Sequence, residues 1–178
     1  MVVLSIVAIL AVLAAPSLQQ VLQSNARASA VNMFIADMAY ARSEAIRRGG
    51  GVVMCRSDAP EALAPSCSTT SSHIGAGWAG GWIVFHDLDG NGLKDVGEPL
   101  LVVQAPLSSM DAILEGGAGV PSVFRFTGTG RLFALPSSVA LTFGGSRFDL
   151  PSRRVVCVSF GGRARIAGDG SSDCGTGT

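Results

Sequence analysis

The chain contains no CxxC pair, no HExxH, no phosphate-binding glycine loop and no nucleophile elbow. Zinc-knuckle, zinc-peptidase, nucleotide-phosphate and hydrolase chemistry are thus missing in their usual sequence forms. Histidine is scarce. His73 sits in a Ser/Thr loop and His86 opens an acidic stretch, so both read as surface histidines. Trp78 and Trp82 read as core or interface residues rather than ligand platforms. Neither catalysis nor a small-molecule substrate is expected. The N-terminus has no basic segment and no A-x-A cleavage site directly after its apolar run, which argues against an ordinary secretory signal. No internal repeat occurs. Charged residues make up only 15% of the chain, and 13 cationic side chains balance 13 acidic ones.

The neutral total is unevenly spread. Residues 55–120 hold Arg56 and Lys94 against eight acids, whereas residues 121–167 hold seven arginines against Asp149 alone. An acidic middle and a basic C-terminal third bear on the choice of partner.

Met1–Ala15 carries no charge, and Ser5 is its only polar side chain. As helix this run reaches about 22 Å, short of a hydrocarbon core of about 30 Å. It anchors in a membrane only if residues precede it or the helix continues past Pro16. Pro16 removes a backbone donor, so a kink or local melting is expected there. From Ser17 to Arg48 the chain reads as an amphipathic helix. Val31, Phe34, Ile35, Met38, Ala41, Ala45 and Ile46 form one apolar face, and Asp37, Arg42, Glu44 and Arg48 lie away from it. Glu44 and Arg48 are spaced for an ion pair, Arg47 and Arg48 suit the last turn, and Gly49 suits the cap.

Beyond Gly51 the composition changes. Of the 178 residues, 23 are glycine, which favours turns and short strands. Strands are expected at Val52–Cys55, Trp82–Phe85, Leu100–Gln104, Val123–Thr127, Arg131–Leu135, Ser138–Phe143, Arg147–Leu150, Val155–Phe160 and Arg163–Ala167, with a Gly-rich connection over Ser108–Pro121. The pattern is an α+β chain: a stem over residues 1–50, and a head over 51–178 built as an antiparallel meander or a two-layer β structure. The four cysteines, Cys55, Cys67, Cys157 and Cys174, admit three connectivities. Short loops close at least entropic cost, which favours Cys55–Cys67 and Cys157–Cys174 and an oxidising compartment. The alternative is four reduced, buried thiols.

Three stretches together carry a resemblance. They are Ala41-Arg42-Ser43-Glu44-Ala45-Ile46-Arg47-Arg48-Gly49, Gly81-Trp82-Ile83-Val84-Phe85 followed by Asp87–Glu98, and Val158-Ser159-Phe160-Gly161-Gly162-Arg163-Ala164-Arg165. With the rod, they resemble type IV minor pilins and type II secretion minor pseudopilins of the GspH/FimT family. The resemblance implies a pilin-like fold, a long N-terminal helix packed on an antiparallel β-sheet head. It implies residence in the inner membrane with the head in the periplasm, then assembly with other pilins in a pilus or pseudopilus. Pro16 matches the kinking proline of such stems. Members begin with a basic leader, a glycine at the cleavage site, a phenylalanine and then a glutamate. None stands here, so Met1 reads as an internal methionine, and processing of the chain as written is not expected.

Two stretches are candidate ligand sites. Asp87-Leu88-Asp89-Gly90-Asn91-Gly92-Leu93-Lys94-Asp95-Val96-Gly97-Glu98 fits D-x-[DN]-x-[DN]-G-x₅-E at every fixed position. Oxygen ligands from Asp87, Asp89, Asn91, Asp95 and Glu98 could wrap Ca²⁺ around the Gly92 turn. The flanks read as strands rather than EF-hand helices, and the alternative is a hairpin loop of turn formers with no required cofactor. In the second stretch, Arg163 and Arg165 at alternate strand positions share one face, and Gly162 would let a phosphate backbone come close. The competence-linked branch of the family binds DNA through a Gly-Arg-x-Arg motif. The resemblance carries that role to Gly162, Arg163 and Arg165, with Arg153 and Arg154 as helpers. The alternative is a solvated sheet edge.

Overall fold

A computed structural model describes residues 2–69, 75–116, 123–135 and 138–175, with side chains from Val21 onward. A single helix, α1, runs Val2–Arg48 and passes Pro16 without a break. Among the described residues eight strands follow: β1 Gly50–Arg56, β2 Trp82–His86, β3 Leu100–Gln104, β4 Ile113–Gly116, β5 Val123–Thr127, β6 Val139–Phe143, β7 Arg154–Val158 and β8 Ala164–Gly168. They form two four-stranded sheets, in the orders β3-β2-β1-β5 and β4-β6-β7-β8, and every pairing is antiparallel. Among the described residues no helix is long and apolar enough to cross a membrane.

The helix seats its apolar stripe on both sheets. Val31, Phe34, Met38, Ala41 and Ala45 are buried with Val52, Met54, Trp82 and Val84 of the first sheet, and with Leu141, Phe143, Val156 and Val158 of the second. Phe34 stands at the centre, edge-on to Trp78 at 5.5 Å, Trp82 at 5.6 Å and Phe143 at 5.6 Å. Such pairs add about 0.5–1.5 kcal/mol each beyond the area they bury. Both tryptophans are therefore core residues, and each indole N–H finds a carboxylate: Glu115 at 2.5 Å from Trp78, and Asp37 of the helix at 2.8 Å from Trp82.

Four expectations change. Ile46 is exposed and Ile35 half-buried, and the buried stripe at that end of the helix is carried by the small residues Ala41 and Ala45. Glu44 is buried rather than turned away, because Arg47 and Arg48 both fold onto it. Arg131–Leu135 is a turn joined to β5 by one bridge, and Arg147–Leu150 is a turn leading into a short 3₁₀ helix, so neither is a strand. Conversely, Ile113–Gly116 is a strand, paired with β6, inside the stretch read as connection. The rest of that connection, from residue 117, lies outside the described residues, as does His73.

The disulfides join Cys55 to Cys67 and Cys157 to Cys174. The first closes the loop after β1 over the outer face of the first sheet. There Val53, Ile83 and Phe85 form a second, smaller apolar cluster with Cys55. The second ties the C-terminal segment to the outer face of β7.

Candidate nucleic-acid interface

Strand β8 is an edge of the second sheet. Its Ala164 pairs with Val158 and packs on the core. Side chains alternate along a strand, so Arg165 falls on the opposite, outer face beside Cys157, whereas Arg163 lies in the turn just before the strand. Both arginines are exposed. Among the described residues neither side chain makes a hydrogen bond or an ion pair.

Gly162 has a different part from the one expected. It is buried, with φ at +73°, and a Cβ there would meet the Gly130 carbonyl oxygen at 2.2 Å. No side chain fits that space, and the left-handed φ itself favours glycine. Gly162 thus holds the turn 159–163 against the turn 128–130 rather than opening room for a ligand. Arg42 reaches the same point from the helix, its Nε donating to the Gly130 carbonyl at 3.0 Å. The Leu132 N–H donates to the Phe160 carbonyl at 2.9 Å, and the Arg131 guanidinium lies 4.3 Å over the Phe160 ring. Helix and both turns therefore bring Arg42 beside Arg163, with Arg131 held over the Phe160 ring of the same turn. A shallow groove of about 270 Å³ runs here between Ile35, Ala39 and Arg42 of the helix and Gly162, Arg163 and Ala164.

Arg153 and Arg154 do not join this cluster. Arg165 pairs with Cys157, so Arg154 lies three residues, about 10 Å, further along the sheet. Its parity also sets it on the helix side. Arg153 Nε donates to the Phe148 carbonyl at 3.0 Å, and Arg154 Nη1 donates to the Pro151 and Arg153 carbonyls. Sequence reasoning placed these two near Arg163 because they precede the adjoining strand. An antiparallel hairpin sends them to its far end. The signal that could have found Arg42 lies in the helix motif, where an arginine sits one residue after the buried Ala41.

The same motif closes the end of the helix on itself and ties it to β2. Arg47 donates to Glu44 through Nε at 3.0 Å and Nη2 at 2.6 Å, and Arg48 Nε donates at 2.8 Å. These hydrogen bonds from Arg47 and Arg48 hold the Glu44 carboxyl down at about 2. Arg48 Nη1 also lies 3.4 Å from His86 Nδ1, which ties the helix end to β2. Gly49, with φ at +80°, ends the helix.

In the acidic loop Asp87, Asp89 and Glu98 each place a carboxylate oxygen within 4.8 Å of the others. Those oxygens already have partners. Asp87 accepts the N–H groups of Gly90 at 2.8 Å and Gly92 at 2.9 Å, and Glu98 accepts those of Leu88 at 2.7 Å and Asp95 at 2.9 Å. The Asn91 amide bridges Asp89 and Asp95. Arg125 donates to the Gly90 carbonyl and stands 3.8 Å from Asp87, so a protein cation already offsets the buried carboxylate. The donor set fits Ca²⁺ in kind, and each carboxylate oxygen that accepts a loop N–H keeps a second lone pair.

The family described as Type II transport protein GspH matches residues 30–162. The chain belongs to the GspH family. The match ends at Gly162, one residue before Arg163. Two crystal structures of the type IV minor pilin FimU of Pseudomonas aeruginosa (strain PAO1) share the fold. One, in space group P21, has a TM-score of 0.58 at 16% identity and covers 83% of this chain and 95% of its own. The other, in space group P65, has a TM-score of 0.55 at 16% identity and covers 81% and 97%. No curated protein sequence shows significant similarity to the chain. The pilin-like fold is thus an N-terminal helix on an antiparallel head, and the GspH family is one of structural fibre subunits that assemble with other pilins.

Proposed function

We propose that this GspH-family protein is a minor pilin of a type IV pilus, assembled near the tip through its N-terminal helix, and that its head holds duplex DNA for uptake without reading sequence. Before assembly the stem anchors it in the inner membrane with the head in the periplasm. The support for anchoring is that no charged side chain occurs before Arg27, which suits lipid first and a fibre core of packed helices later.

One observation carries the DNA reading. Arg163 and Arg165 stand at the start of an edge strand, exposed and, among the described residues, without a hydrogen bond or ion pair, and Arg42 lines a groove with Arg163. Guanidinium forks suit phosphate oxygens, and such contacts carry no base information. Retention of linear duplex by the full chain, measured against salt, is the test. Binding should be independent of sequence and fall steeply with salt as condensed counterions are released. Arg163→Ala/Arg165→Ala should lower the slope of log affinity against log salt by about 2. Equal retention by wild type and this variant would sink the reading.

The description of the matched family favours a second reading, a structural minor pseudopilin of a type II secretion fibre whose partners are other pseudopilins or a secreted protein. Deleting the gene separates the two. Loss of DNA uptake with secretion intact supports the first, and the converse supports the second.

A further inference from the structure

Where α1 leaves the apolar run, it borders a groove of about 800 Å³ whose described walls include Val21, Ser24, Arg27, Arg147, Phe148 and Asp149. Arg27 lies within it at only 8% exposure. Its guanidinium stands 5.4 Å over the Phe148 ring, and among the described residues it makes no hydrogen bond or ion pair. A guanidinium carries five N–H donors, and those of Arg27 open into the groove rather than onto protein acceptors among the described residues. Burial first, and then the like charge of Arg154, hold Arg27 below its ordinary pKa, with Asp149 pulling the other way. Arg147 is exposed at the rim. Its turn is fixed from below, because the Asp111 carboxylate accepts the N–H groups of Gly145 at 2.9 Å and Arg147 at 3.1 Å. The groove therefore gathers Arg27 and Arg147, with Arg154 nearby, against Asp149 alone. That charge balance calls for an anion.

Its place on the stem says which anion. Arg27 is the first charged residue of the chain. The helix leading into Arg27 carries no charged side chain from Val2 to Ala26. Val21 and Leu22, the last apolar pair before Arg27, are exposed, as is Leu150 on the facing segment. Arg27 follows Leu22 by five residues, about 7 Å along the axis. That is the depth at which headgroup phosphates sit above the acyl chains. We infer that the groove between α1 and the 147–152 segment binds the phosphate of an anionic phospholipid, with Arg27 and Arg147 as its donors and Val21, Leu22 and Leu150 against the lipid's apolar end. The inference rests on the membrane-anchored reading of the stem.

The test uses the full chain in vesicles of phosphatidylcholine alone and of an equal mixture of phosphatidylcholine and phosphatidylglycerol. Flotation with either vesicle reports anchoring. The melting temperature of the head, followed by tryptophan fluorescence, reports the groove. A ligand that binds only the folded state should raise that temperature by about 2–4 °C for each kcal/mol of linkage in a chain of this size. A rise in the mixed vesicles is expected for wild type and for Lys94→Gln, which controls for bulk charge, and it should be lost in Arg27→Gln and in the exposed variant Arg147→Gln. An equal rise in all four proteins overturns the inference, as does no rise in wild type. So does an equal rise from inorganic phosphate in detergent, which would mark a free-anion site. A chain that floats with neither vesicle overturns the anchored reading, and the inference falls with it. Flotation without a lipid-dependent shift overturns the inference alone, and leaves the groove to a carboxylate from a neighbouring protein.

Discussion

In the acidic loop, both oxygens of Asp87 and both of Glu98 accept loop N–H groups, and Arg125 supplies the counter-charge. At the basic edge, Arg163 and Arg165 hold no described partner. Each stretch matches a ligand-binding pattern in sequence, and each gathers charge of one sign. They differ in what the charged atoms already do. A carboxylate that caps its own turn stabilises the head, and a cation there would share its oxygens with those N–H groups and face the charge of Arg125. A guanidinium on an open edge adds nothing to folding and remains available. The DNA reading therefore rests on uncommitted groups, and the Ca²⁺ reading on committed ones.

Several variants would break or sharpen this contrast. The largest effect is expected from Asp87→Ala, which strands two loop N–H groups and leaves Arg125 without its carboxylate. Chemical unfolding should register a loss of about 1–3 kcal/mol. A loss near zero would mean that the loop is not self-capped. Next comes Arg131→Ala, which should leave stability unchanged and lower the salt slope of DNA binding by about 1, because Arg131 stands at the same edge as Arg163.

A pH experiment probes the stem lock. The carboxyl of Glu44 is lowered from 4.5 in the unfolded chain to about 2 in the folded one. A depressed acid contributes stability above its unfolded value and loses it as pH falls. The contribution of Glu44 should therefore fade between pH 4.5 and about 2. The melting temperature of Glu44→Gln should change less across that window than that of wild type. A parallel decline would remove Glu44 from the account.

Two near-silent results complete the set. Arg153→Ala/Arg154→Ala should leave the DNA salt slope unchanged, since these side chains sit at the far end of the hairpin. A drop of about 2 would restore them to the site. Chelator or added Ca²⁺ should leave the melting temperature where it was, and a clear rise with Ca²⁺ would show that the loop holds the ion.

Much of the fold was legible because it depends on local period. The spacing of Val31, Phe34, Met38, Ala41 and Ala45 marks a helix face whatever it packs on. Two short Ser/Gly-rich loops made Cys55–Cys67 and Cys157–Cys174 the easiest closures. Alternation placed Arg165 on the outer face of β8, but it did not reach Arg163, which lies in the turn before the strand. Strand β4 was hidden because its four residues, Ile113–Gly116, are too few for a pattern and flow into glycines. The burial of Glu44 was hidden because an acid on a helix looks solvated until two arginines close over it.

The sequence by itself determined the stem, the edge arginines and the disulfide-closed head, since each follows from spacing between near neighbours. Only the tertiary structure decided which charges are free. Gly130, reached by Arg42 from the helix and crowded by Gly162 from the second sheet, joins residues far apart in the chain. Whether a guanidinium or carboxylate meets water or a backbone partner depends on such contacts. For that reason the acidic and basic motifs, equal on paper, part company in the folded protein.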